Sequence, residues 1–328
     1  MRARSQKSDF DAAHALVRTV FPGTPQYVWP LLSQRVGCET WVKHENHTPV
    51  GAFKLRGGLV YIDDHVRRHG AARGVITATR GNHGQSIATA CARFGLQAHV
   101  VVPEGNSLEK NAAMRAQGAD LIIHGEDFQE AVEYARARAE AEDLIMLPSF
   151  HDLLVRGVGT YAVELFEAAP DLHTVYVPIG LGSGICGVIR ARDAFGLKTE
   201  VVGVVADGAP SYKHSFEAGR PVPTNKAETI ADGMACRTPV PEAVEIINAG
   251  AARVVAVSDA QVRDAMRAYY HDTHNISEGA GAAPLAALLA ERDRMVGRKV
   301  GVILTGGNID RALFAEVLGE PDLHGATS

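Results

Sequence analysis

The sequence predicts an α/β fold of two domains, with open and mostly parallel sheets covered by helices on both faces. Three observations carry that expectation. From about residue 74, short β-branched runs alternate with longer alanine-rich stretches, as strands joined by crossover helices do. The runs are apolar throughout instead of alternating with polar residues, as strands buried on both faces must be. The chain has 328 residues, 46% of them hydrophobic, enough for two domains of roughly 100–200 residues and a substantial core.

Taken in order, GVITAT (74–79) is a strand, and residues 81–95 turn from GNH into a helix that ends at Gly95. AHVVVP (98–103) is the next strand. A helix over 107–119 follows, with Ser107 as its N-cap and a close near Gly118. DLIIHG (120–125) and residues 128–143 repeat the pattern. A second set holds the strand TVYVPIG (174–180), a helix over 185–196, the strand EVVGVVAD (200–207), and strands over 253–258 and 299–307. Between the sets, residues 147–161 show neither period, and the domain break is expected near there. No repeat, low-complexity tract or long like-charge run interrupts the chain.

Composition excludes several classes. The formal charge is −5 and the basic residues are scattered, which gives no footprint for a phosphate backbone, so nucleic acid is not an expected partner. Apolar runs such as Val100–Pro103 and Val300–Leu304 fall far short of the roughly 20 residues a bilayer span needs. The N-terminal segment MRARSQKSDFDAAHAL has no apolar core and does not read as a signal peptide. Cys38, Cys91, Cys186 and Cys236 are far apart with no CxxC pair, which supports neither a disulfide frame nor a zinc ribbon. A cytoplasmic enzyme acting on a small molecule is the expectation.

Chemistry concentrates in a few turns. Gly180, Gly182, Ser183 and Gly184 follow one predicted strand and precede a helix, where converging N–H groups and the helix dipole cradle a phosphate. The same stretch matches GxGxxG, with Asp207 about 20 residues on, so a nicotinamide-dependent dehydrogenase competes as a reading. HENHTPVGAFKLRGG (44–58) sets Lys54 among apolar and glycine neighbours, where burial can lower a lysine pKa into a useful range. TATRGNHGQS (77–86) offers Thr79, Arg80, Asn82, His83 and free N–H groups at a strand end, a receptor for a carboxylate. LTGGN (304–308) adds Thr305, and Glu278 in SEGAGAAPLAAL (277–288) reads as a helix cap. His44 with His47, and His271 with His274, lack the spacing of a metal site, and Ser183 lacks the flanks of a hydrolase elbow, so no catalytic metal is expected.

In this order, GAFKLRGG, TRGNHGQS, VPIGLGSG, SEGAGAA and LTGGN closely resemble the fold-type II pyridoxal-phosphate enzymes, specifically the threonine/serine dehydratase and serine racemase group. The resemblance runs from about Lys43 to about Val317. It implies a tryptophan synthase β-like fold: a large cofactor-binding domain of residues 1–74 and 157–328, and a small domain of residues 75–156 that closes on the substrate. It also implies pyridoxal 5′-phosphate as cofactor, held by Phe53, Lys54, Asn82, Gly180, Leu181, Gly182, Ser183, Gly184 and Thr305. Lys54 would be the Schiff-base lysine and the group that moves the α-proton. Thr79, Arg80 and His83 would face the amino-acid substrate. The implied reaction is loss of water from a β-hydroxy-α-amino acid, threonine or serine, giving a 2-oxo acid and ammonia. A β-replacement synthase or a racemase stands as the alternative, and relatives are commonly homodimers.

The sequence departs from that pattern in places. Family members usually carry Ser-Ser before GNH, the second serine serving as a proton donor in racemases; here the pair is Thr79 and Arg80. Arginine, with a pKa above about 12, is a poor proton donor but a good bidentate partner for a carboxylate, which brings 3-hydroxyaspartate in as a substrate. The phosphate loop reads GLGSG in place of a run of glycines. Val205 and Ala206 offer no ligand where cation-dependent relatives have an acid. Little chain follows the last motif, so no regulatory domain is expected and a catabolic role fits better.

Overall fold

Ten strands form two sheets in the computed structural model, which describes residues 6–71 and 73–321. They are β1 (Gln26–Val28), β2 (Glu39–His44), β3 (Val75–Ala78), β4 (Ala98–Val102), β5 (Asp120–Ile123), β6 (Ile145–Met146), β7 (Thr174–Pro178), β8 (Glu200–Ala206), β9 (Arg253–Val257) and β10 (Lys299–Leu304). One sheet has the order β5-β4-β3-β6 and is parallel throughout. The other has the order β1-β2-β10-β7-β8-β9, parallel except for β1 against β2. Residues 1–5 and 322–328, to which part of the N-terminal reading and the tail belong, lie outside the described residues.

The predicted strands recur at β3, β4, β5 and β7 to β10. Those that sequence missed explain themselves. β1 and β6 are three and two residues long. β2, ETWVKH, carries charge on buried positions, which hides it from a search for apolar runs. Lys43 on β2 is fully buried because its Nζ donates to Glu164 Oε2 at 2.6 Å and to the Thr24 carbonyl at 2.9 Å.

The region 147–161, expected to be a break without regular structure, is corrected by the structure: it runs into a helix, Asp152–Ala168. Twelve of its seventeen residues are buried, including every one from Gly157 to Phe166, so its solvent-facing residues are confined to the two ends. Its glycines serve helix packing. A Cβ on Gly157 would lie 2.4 Å from the Arg56 carbonyl, and one on Gly187 would lie 2.9 Å from the Gly159 nitrogen. The helix Lys54–His69 and the helix Ser183–Ala194 therefore approach Asp152–Ala168 to backbone contact. Between them lies a buried ionic knot. The Arg56 guanidinium donates to both oxygens of Glu45 at 2.7 and 3.0 Å, and to both oxygens of Glu164 at 2.9 and 2.8 Å. This knot fixes the first turn of the helix that begins at Lys54.

Candidate active site

The C-terminal ends of β3, β7 and β10 open into one cavity of about 680 Å³, the place where open parallel sheets bind ligands. Phe53, Lys54, Thr79, Arg80, Asn82, His83, Gly180, Leu181, Gly182, Ser183, Gly184 and Thr305 all line it. Residues from four distant stretches of sequence thus meet in one site.

Lys54 opens its helix directly after the half-buried Phe53, whose N–H donates to the Thr305 carbonyl at 2.9 Å. That bond ties the lysine turn to the end of β10. The Lys54 Nζ donates to Ser183 Oγ at 3.1 Å and sits 4.9 Å from the Phe53 ring centre. The cavity reaches the side chain, yet the surrounding protein strips bulk water from the ammonium. Burial lowers its pKa from 10.5 to about 8, against the opposing pull of Glu278. The lysine is tuned toward neutrality.

His83, in the first turn of the helix Asn82–Phe94, is buried with no hydrogen-bond partner for Nε2. Burial first, and then the Lys54 charge, push its pKa down to about 3, so it is a neutral ring at physiological pH. Thr79 is buried and its Oγ1 accepts from the Gly81 N–H at 3.0 Å. Arg80 is exposed at the cavity wall. Asn82 donates from Nδ2 to Glu278 Oε1 at 2.7 Å and accepts at Oδ1 from Asn308 at 2.8 Å, which leaves one amide hydrogen free.

Glu278 corrects the sequence reading. It stands at the N-cap position of the helix Gly279–Ala290, but its side chain makes no capping bond and turns into the cavity. Burial, and Asp232 behind it, raise its pKa to about 7, while Lys110 and Asn82 pull the other way. Its Oε2 has no hydrogen-bond partner and lies 3.8 Å from Lys110 Nζ. Lys110 in turn reaches Asp232 at 2.5 Å. Sequence reasoning missed Lys110, Asp232 and Asn308, since each matters only through a partner far away in the chain.

The glycine loop after β7 is tightly constrained. Gly182 has φ of 96°, a left-handed conformation that favours glycine, and a Cβ on Gly180 would lie 2.1 Å from the Gly233 carbonyl. The family model for pyridoxal-phosphate-dependent enzymes matches residues 17–306. The chain belongs to that family. The L-threonine ammonia-lyase of Thermotoga maritima is 32% identical over 94% of this chain and 77% of its own. The catabolic L-threonine dehydratase TdcB of Escherichia coli K12 is 31% identical over 88% of this chain and 89% of its own. The processed form of threonine deaminase isoform 2 from Solanum lycopersicum superposes with a TM-score of 0.87 at 28% identity, covering 96% of this chain and 95% of that one. The fold is therefore the fold-type II α/β architecture, the chain is a pyridoxal-phosphate-dependent lyase, and its substrate is an amino acid.

The residues fit the cofactor of the family. A Cβ on Gly184 would meet nothing closer than Tyr161 Oη at 3.5 Å, so packing alone does not demand glycine there, whereas a phosphate seated on the loop does. The dinucleotide reading fails. Gly187, the last glycine of GxGxxG, is explained by the helix contact at Gly159, and Asp207 is exposed away from the cavity lining. Among the described residues no group of three or more His, Cys, Asp or Glu side chains is arranged for a metal. His44 accepts from Trp29 Nε1 at 3.0 Å and His47 pairs with Asn275 at 2.7 Å, both structural roles. The four cysteines are free and buried, and no described helix is long and apolar enough to cross a membrane.

Proposed function

We propose that this enzyme is an ammonia-lyase of the threonine dehydratase kind, eliminating water from a β-hydroxy-α-amino acid to yield a 2-oxo acid and ammonia. The observation that carries the reading is Lys54: a lysine tuned to a pKa of about 8, 3.1 Å from Ser183 of a glycine loop, in a cavity that also presents Asn82 and Thr305. The names of its relatives support the substrate class.

Pyridoxal phosphate, when bound, supplies an electron sink for the pair of electrons left at the substrate α-carbon. The backbone N–H groups of the loop Gly180 to Gly184 and the Ser183 hydroxyl would hold its phosphate, helped by the dipole of the helix Ser183–Ala194. Asn82, with its free amide hydrogen, Phe53 and the Thr305 hydroxyl would hold its ring. The first-turn N–H groups of the helix Asn82–Phe94 have no carbonyl to bond within the helix, and with Thr79 they clamp the substrate carboxylate. Neutral His83 adds shape there without competing charge. Lys54 takes the α-proton at Nζ; with a pKa near the working pH it exchanges that proton at small cost. Racemisation is disfavoured, because the position facing the opposite side of the substrate carries Arg80 in place of a hydroxyl donor.

The strand pattern supports residues 75–156 as the small domain, closing on the substrate carboxylate across the cleft against residues 1–74 and 157–328. Edge strand β1 and the helix after it expose Tyr27, Val28 and Leu31, which supports a homodimer. We place the enzyme in the cytoplasm. The test is ammonia and 2-oxo acid release from L-threonine and L-serine. The wild type is expected to be active with the visible absorbance of bound cofactor. Lys54→Ala is expected to lose roughly 100- to 10,000-fold in turnover, and turnover retained in that variant would overturn the assignment.

A further inference from the structure

We propose that Arg80 selects a substrate with a second carboxylate on the β-carbon, so that the enzyme prefers a 3-hydroxyaspartate to threonine or serine; this rests on the ammonia-lyase reading above. The charges around the cavity are not all paired. Its cations are Lys54, Arg80, Lys110, Lys226 and Arg237. Lys110 is held by Asp232 and Glu278, and Lys226 by Glu228 at 3.1 Å. Lys54 bonds Ser183 and sits beside the cofactor loop. Neither Arg80 nor Arg237 has an ion pair or side-chain hydrogen bond among the described residues.

The reading already gives every other anion a receptor: the phosphate lies on the glycine loop, and the α-carboxylate lies on the first-turn N–H groups after Gly81. Arg80 immediately precedes that turn and remains without a counter-ion. Thr79 is not its anchor: the Thr79 hydroxyl accepts from the Gly81 N–H, and no bond joins it to Arg80 among the described residues. A guanidinium stays charged at any working pH, so Arg80 acts by binding and not by proton transfer. Its planar fork matches a carboxylate, and neither the methyl group of threonine nor the bare β-carbon of serine offers one. Arg237 belongs to the stretch after Asp232 that also lines the cavity, and is the control position.

The chemistry balances without an added oxidant. The α-C–H and β-C–O bonds break, a carbon–carbon double bond forms, and water leaves. Water then adds at the α-carbon of the rearranged product, the C–N bond breaks, and ammonia leaves with a four-carbon 2-oxo diacid.

The holoenzyme is assayed for ammonia and 2-oxo acid release with the four 3-hydroxyaspartate isomers, L-threonine, L-serine and D-serine. One hydroxyaspartate isomer is expected to exceed threonine in kcat/KM by at least about tenfold, the low end for a charge-assisted pair. Arg80→Gln is expected to lower that ratio roughly 10- to 100-fold, chiefly through KM, with partial rescue in Arg80→Lys. Succinate is expected to inhibit the wild type at lower concentration than butyrate, with the difference lost in Arg80→Gln and kept in Arg237→Gln. Threonine or serine preferred by the wild type, with the ratio unmoved in Arg80→Gln, overturns the inference and leaves the lyase intact. Loss of discrimination in Arg237→Gln alone assigns the carboxylate to that residue and also overturns it. Ammonia from none of the amino acids defeats the lyase reading itself.

Discussion

Lys54→Met is expected to stabilise the cofactor-free protein at pH 7. The folded chain lowers the Lys54 pKa from 10.5 to about 8, chiefly by burial, a shift of about 2.5 units. At about 1.4 kcal/mol per unit this amounts to about 3 kcal/mol against the charged form. Below pH 8 both folded and unfolded chains hold the proton and the cost is fully present. Between pH 8 and 10.5 the unfolded chain binds more protons than the folded one, so stability rises with pH until the cost is gone. Methionine keeps the unbranched apolar stem of lysine, one atom shorter, without the charge. Losing the bond to Ser183 gives back about 1 kcal/mol, which leaves a net gain of about 2 kcal/mol at pH 7. Urea titrations followed by the fluorescence of Trp29 and Trp41 measure it, at pH 7 and above pH 10. A variant no more stable than the wild type at pH 7, or a gain that persists unchanged above pH 10, would refute the reasoning.

Glu278→Gln should keep the bond from Asn82 but remove a carboxyl raised to about 7; the cofactor-free wild type should lose stability as pH rises from about 4.5 to 7, and the variant should not, as read from urea midpoints. Arg56→Met should cost about 3–5 kcal/mol, because it leaves Glu45 and Glu164 buried with a cation missing; an unchanged urea midpoint would contradict the role of the ionic knot. Gly180→Ala should weaken cofactor binding at least about tenfold in a fluorescence titration, since its Cβ meets the Gly233 carbonyl at 2.1 Å. Gly187→Ala should instead lower the melting temperature more than it weakens cofactor binding, because its Cβ meets the Gly159 backbone and not the cavity.

Strands with both faces buried carry their own signal, and β3, β4, β7, β8 and β10 were legible for that reason. The helix Asp152–Ala168 was not, because the long buried run from Gly157 to Phe166 offers no polar face to read, and its glycines look like turn residues until their close neighbours are known. β2 was hidden by the polar side chains of Lys43 and His44, whose burial makes sense only beside Glu164 and Trp29. The site divides the same way. Lys54, the GNH turn and the glycine loop are each local motifs at strand or helix ends, where backbone geometry itself makes the receptor. Glu278 resembled a cap because an acid before a helix usually is one, and only its pairing with Asn82, 196 positions earlier in the chain, turns it into a cavity group.

That pairing joins the two parts of the chain at the reaction centre. Asn82 and Lys110 belong to the stretch that carries the four-stranded sheet, while Glu278, Asp232 and Asn308 belong to the part that carries the six-stranded one. The bonds Asn82–Glu278, Asn82–Asn308 and Lys110–Asp232 therefore cross the cleft that a substrate must enter. On the closure proposed above, opening would break the bonds of Asn82 to Glu278 and of Lys110 to Asp232, and closing would remake them. In the structure these cross-bonds surround a lysine whose pKa burial has lowered to about 8, so the closure proposed above would bring a bound amino acid to Lys54 in its readily deprotonated form.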